Sequence, residues 1–139
     1  MACPYFMPGK RLEEPLWPHP QRLPLGGGYS GCCTAPGHEG AEPAEDELKE
    51  GCNLGYARGC PRLPEEREHD AVRFALARDR EGKLNVKFVC ESGHAPAQHG
   101  MLEFDRAAGV WRTRHGDARI QRMAECYVES YLGRGSKQD

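Results

Sequence analysis

The chain has 139 residues, with 19 Lys and Arg against 21 Asp and Glu and a formal net charge of -2. That balance excludes the strongly basic surface of a general phosphate binder, so no nucleic-acid partner is expected, and the length allows one domain or two small lobes. No run reaches the apolar length of a membrane span, and no continuous apolar stretch of signal-peptide type opens the sequence. The expected compartment is therefore the cytoplasm, with no membrane association.

Thiols stay reduced in the cytoplasm, where clustered cysteines read as metal ligands or redox groups rather than structural disulfides. The count of seven cysteines agrees, because full pairing within one chain is impossible. Five of them, and ten of the eleven prolines, fall before residue 65. The chain thus divides into residues 1–69, an irregular cysteine-containing lobe, and residues 70–133, a sheet with a C-terminal helix. Residues 134–139 read as a frayed tail.

In the first part, Pro4, Pro8, Pro15, Pro18, Pro20 and Pro24 oppose both a regular helix and a central strand. Gly26-Gly27-Gly28 leads into Tyr29-Ser30-Gly31-Cys32-Cys33. One short helix is expected from Pro43 to Glu50, with Pro43 at its first position, acidic residues in its first turn and Gly51 as its stop. The stretch Cys52 to Pro64, CNLGYARGCPRLP, follows. The aromatic and apolar residues scattered through this half favour an ordered, wrapped segment over a solvated linker. Ordering costs on the order of 1.5 kcal/mol per residue, which so little regular structure does not offset; small lobes of this kind use a disulfide or metal staple.

The second part is conventional. Val72, Phe74 and Leu76 alternate with polar or small residues, as do Leu84, Val86, Phe88 and Cys90 after the turn Asp79-Arg80-Glu81-Gly82; this is a β-hairpin. Ser92 to Gly100 reads as a loop. Met101–Phe104 and Val110–Thr113 make a shorter hairpin around Arg106-Ala107-Ala108-Gly109. Apolar residues from Ile120 to Leu132 then recur at helical spacing, with Asp117 as N-cap and Gly133 as the C-terminal stop. The fold class is α+β: a metal-stapled Pro/Gly-rich half, then a small antiparallel sheet covered by one helix.

Zinc knuckles place two cysteines two to four residues apart, and none is present: Cys32 and Cys33 are adjacent, while Cys52 and Cys60 are too widely spaced. A cubane cluster accepts ligands from separate loops. Cys3, Cys33, Cys52 and Cys60 fit that topology, each beside Gly or Pro residues or their turns, which let the main chain approach closely and aim N–H groups at sulfur. Cys60-Pro61 resembles the dipeptide that closes the ferredoxin ligand run, although the compact ferredoxin spacing is absent. Cys32 is the alternative to Cys33; Cys33 is favoured, with Cys32 packed beneath it as a small buried hydrophobe.

The expected cofactor is thus one [4Fe–4S] cluster used for electron transfer or redox sensing with a protein redox partner. The alternative is Zn2+ in an interaction module without redox role. Tyr56, Arg58 and Arg62 flank the ligands and offer cations to offset thiolate charge, though each taken singly is an ordinary surface or packing residue. His38 is a substitute ligand or, more simply, a solvated loop residue. His94 and His99 suggest an acid/base or second metal site without a carboxylate at diagnostic spacing. Cys90 reads as core, and Cys126 sits at the edge of the polar side of its helix. Phosphate-binding loop, nucleophile elbow, HExxH, CxxC and CxxCH signatures are all missing, so no catalytic residue is assigned.

Overall fold

The alternating stretch of residues 71–90 folds as its pattern dictates. In a computed structural model that describes residues 2–12, 23–48, 52–53, 62, 64, 69–93 and 95–137, β3 (Ala71–Arg80) and β4 (Lys83–Ser92) form an antiparallel hairpin. Val72 pairs with Cys90, Phe74 with Phe88 and Leu76 with Val86, so the apolar residues share one face. The turn needs only Glu81 and Gly82, at φ of 55° and 77°; this left-handed pair matches the twist of the flanking strands. The sheet continues through β5 (Ala95–Asp105) and β6 (Val110–Thr113) in the order β3-β4-β5-β6.

β5 corrects the expected loop from Ser92 to Gly100. Its first six residues, Ala95 to Gly100, carry no apolar alternation and are largely exposed, so the strand period is invisible in sequence. Backbone pairing to β4 holds them instead, with His99 opposite Val89 and Gly100 opposite Phe88. Gly100 is required there: a Cβ would lie 2.8 Å from the Phe88 ring.

α2 (Ala118–Lys137) crosses the inner face of the sheet, packing Ile120, Met123 and Ala124 into the main core and Val128 against Leu84 and Val86. Asp117 is the N-cap: its side chain accepts the Arg119 N–H at 2.9 Å, and its carbonyl accepts the first helical bond from Gln121. Gly133 does not end the helix. The last turns run on beside Arg11, whose guanidinium would lie 3.7 Å from a Cβ at Gly133.

The first half is less irregular than its prolines suggest. β1 (Phe6–Arg11) and β2 (Tyr29–Cys33) form a two-stranded antiparallel sheet, pairing Phe6 with Cys33, Met7 with Cys32 and Pro8 with Gly31. Both are edge strands in this sheet, the setting that tolerates Pro8. The expected helix shrinks to one turn, α1 (Glu45–Glu47), beginning after Ala44 rather than at Pro43; Gly51, its expected stop, lies outside the described residues.

The burial that this half lacks on its own comes from the second half. Ala2, Phe6, Leu25, Tyr29 and Leu48 belong to the same core cluster as Val72, Leu102 and Met123. Ala2 exchanges two backbone hydrogen bonds with Val72, at 2.7 and 2.8 Å. Arg122 of α2 donates to the carbonyls of Pro8 and Gly9 at 3.1 and 2.8 Å. Apolar burial against α2 therefore supplies part of the stabilisation for which sequence reasoning invoked a metal. Among the described residues, no helix is long and apolar enough to cross a membrane.

Candidate thiol site

Three of the four expected ligands lie within the described residues, and local backbone bonds link their surroundings. Cys3 is buried at the head of the turn before β1, where its carbonyl accepts the Phe6 N–H at 3.1 Å. Its own N–H donates to the carbonyl of Cys52 at 3.2 Å. Phe6 pairs in turn with Cys33, the last residue of β2. Cys60 lies outside the described residues, as do Tyr56, Arg58 and His94.

Cys33 is held at both main-chain groups: its N–H donates to Ala41 at 2.8 Å and its carbonyl accepts from Gly40 at 2.9 Å. The Ala35 N–H donates to Cys33 Sγ at 3.4 Å. Cys32 and Cys33 point to opposite faces of β2, as the pleat requires. Cys33 shares the face of buried Phe6 and Cys32 that of Met7. Both are half-exposed, so Cys32 is not the buried packing residue expected.

Asn53 escaped the sequence reading. Fully buried, it accepts the Tyr29 N–H at 3.1 Å and donates to the carbonyls of Tyr29 and Leu48 at 2.9 and 3.1 Å. The residue after Cys52 is thereby clamped to the start of β2. The only signal for it was an amide side chain directly following a candidate ligand.

Arg119 reaches the same region from α2. Its guanidinium stacks over the Tyr5 ring at 5.0 Å and NH1 donates to Thr34 Oγ1 at 3.2 Å. Thr34 donates from both N–H and Oγ1 to the Tyr5 carbonyl, at 2.8 and 2.7 Å. Tyr5 follows Cys3 by two residues, and Thr34 follows Cys33 directly. Nε and NH2 of Arg119 are taken by Asp117 at 3.1 and 2.8 Å. That bonding holds the Asp117 carboxyl below its usual range and raises the Arg119 guanidinium further.

Arg62 is engaged by Glu47 at 2.6 Å. His38 is exposed, and His99 is an exposed strand residue rather than part of a catalytic loop. Cys90 is core as expected; burial, then the charge of Asp117, pushes its thiol to about 11. Cys126 is also fully buried, which corrects its placement at a polar edge, and burial pushes it up to about 12. Neither provides a thiolate at neutral pH. Among the described residues, no group of three or more His, Cys, Asp and Glu side chains is arranged to hold a metal ion.

Among the described residues the fold is that of a small α+β protein, a two-stranded and a four-stranded antiparallel sheet with one long C-terminal helix. Compared with known proteins, the chain matches no family model, no curated protein and no solved structure.

Proposed function

We propose that the chain is a cytoplasmic iron–sulfur protein in which Cys3, Cys33, Cys52 and Cys60 hold one [4Fe–4S] cluster for electron transfer with a protein partner. The supporting observation is the backbone linkage of three of these cysteines: Cys3 bonds to Cys52, and the turn that starts at Cys3 places Phe6 beside Cys33. Cys3, Cys33 and Cys52 supply thiols of the type such a group takes, and an N–H faces Cys33 Sγ, but among the described residues these side chains are not already assembled as a metal-holding group. When bound, the cluster supplies a reversible one-electron couple. The chain's own part is to hold the thiols on separate turns, offer N–H donors to sulfur and keep Cys3 out of solvent.

Transfer is better supported than sensing. A sensor of this kind would unfold its first half on losing the cluster. Here that half is anchored to α2 and β3 through Tyr29, Arg122 and Ala2, all independent of any metal. Reductive titration of anaerobically purified protein, followed by circular dichroism after cluster removal, tests this. A reversible one-electron reduction with the fold retained is expected; collapse of the β-ribbon on cluster loss would favour sensing. A colourless, zinc-loaded protein would replace both with the zinc-stapled module.

A further inference from the structure

We infer that Cys3 and Cys52 are a dithiol pair that closes to a reversible disulfide by exchange with a low-molecular-weight disulfide such as oxidised glutathione. The pair needs no metal and goes beyond the cluster reading. A chain carrying this bond lacks two of the four proposed ligands, so bond and cluster exclude each other on one molecule.

The backbone fixes the separation of the two residues. The Cys3 N–H donates to the Cys52 carbonyl at 3.2 Å. Directly paired backbone residues hold their Cα atoms roughly 4.5–5.5 Å apart, inside the roughly 4.4–6.8 Å span that a disulfide bridges. Neighbours pin the pair on both sides. Ala2, before Cys3, exchanges two backbone bonds with Val72. Asn53, after Cys52, is fully buried and bonded to Tyr29 and Leu48. Both cysteines also share one apolar cluster: Cys3 belongs to the main core, and partly buried Cys52 packs against it. The other described cysteines are placed differently. Cys32 stands opposite Met7, Cys33 opposite Phe6 and Cys90 opposite Val72. Burial keeps the thiols of Cys90 and Cys126 protonated.

Accessibility sets the order of steps. Cys52 is partly exposed, whereas Cys3 is buried. The Cys52 thiolate attacks one sulfur of the small disulfide, whose S–S bond breaks as one small thiolate leaves. Cys3 then gives its proton to solvent and attacks Cys52 Sγ. The Cys3–Cys52 bond forms and the second small thiolate is released. The chain is oxidised by two electrons and the small disulfide is reduced by the same two, the two thiol protons passing through solvent to the released thiolates. Excess small thiol reverses both steps, which resets such a pair wherever thiols are kept reduced.

The test places the full chain, freed of bound metal by a chelator, in buffers of varied oxidised-to-reduced glutathione ratio. Non-reducing peptide mapping by mass spectrometry and circular dichroism follow the outcome. A single two-electron transition is expected, with a peptide joining Cys3 to Cys52. The thermal midpoint should rise by several degrees over the dithiol form, because the bond constrains the unfolded chain. Cys3→Ser should stop at a persistent glutathione adduct on Cys52. Cys52→Ser should leave Cys3 unmodified, and it decides alone if Cys3→Ser does not fold. A chain that forms no bridge, that keeps the adduct on Cys52 without substitution, or that joins Cys52 to Cys33 or Cys60 would overturn the inference, as would modification of Cys3 in Cys52→Ser. Iron and sulfide measured before chelation bear on the cluster reading alone, so either claim can fail without the other.

Discussion

The Tyr29 hydroxyl at the start of β2 and the Ser130 hydroxyl on α2, 101 positions apart in sequence, share a 2.7 Å hydrogen bond inside the core. The same phenol donates to the Cys126 carbonyl at 3.0 Å, and burial raises it above the ordinary tyrosine range. Tyr29→Phe should cost about 1–2 kcal/mol, because it removes the phenol and leaves the buried Ser130 hydroxyl without that partner. A double-mutant cycle with Ser130→Ala, followed by urea unfolding, should return a coupling of about 1 kcal/mol. Strict additivity of the two substitutions would show that this bond does not join the halves.

Gly31 faces Pro8 where β1 and β2 come closest, and a Cβ there would run into the Met7 carbonyl oxygen. Gly31→Ala should destabilise by about 1–3 kcal/mol through overpacking and disturb the adjacent Cys32 and Cys33. Gly9 is the control. A Cβ there meets nothing nearer than the Ser30 carbonyl at 3.6 Å, so Gly9→Ala should be tolerated, within about 1 kcal/mol of neutral. Equal denaturation midpoints for the two variants would contradict the distinction between a blocked approach at Gly31 and an open one at Gly9.

Cys90 and Cys126 make stability depend on alkaline pH. Their folded-state thiols ionise only near 11 and 12, against an ordinary value of 9.0. Once the pH passes about 9, the unfolded chain sheds protons that the folded chain keeps, so stability present at neutral pH falls across roughly pH 9–12. Unfolding followed at pH 8 and pH 10.5 should show this loss, and Cys90→Ala and Cys126→Ala should each reduce it. A pH-independent midpoint would mean that the two thiols are not held neutral by the core.

The second half of the fold was legible because a sheet with one covered face writes its period into the sequence: Val72, Phe74 and Leu76 face Cys90, Phe88 and Val86 as their alternation implies. The start of β5 was not, since Ala95 to Gly100 bury nothing and are held by backbone pairing alone. The pairing of β1 with β2 is a long-range contact between segments full of Pro and Gly, and nothing local marks it. At the candidate site, residue type alone singled out the cysteines. The contributions of Asn53 and Arg119 could not be read that way, because each acts on residues brought near only by the complete fold.

The central claim is the thiol-held cluster, and elemental analysis tests it most directly. Protein purified without oxygen should contain iron and acid-labile sulfide in equal amounts, near four of each per chain, as a [4Fe–4S] group requires. Cys3→Ser, Cys33→Ser, Cys52→Ser and Cys60→Ser should each deplete them, while Cys90→Ala and Cys126→Ala should not. Stoichiometric zinc without iron, or iron unchanged in the Cys33→Ser and Cys52→Ser variants, would contradict the claim.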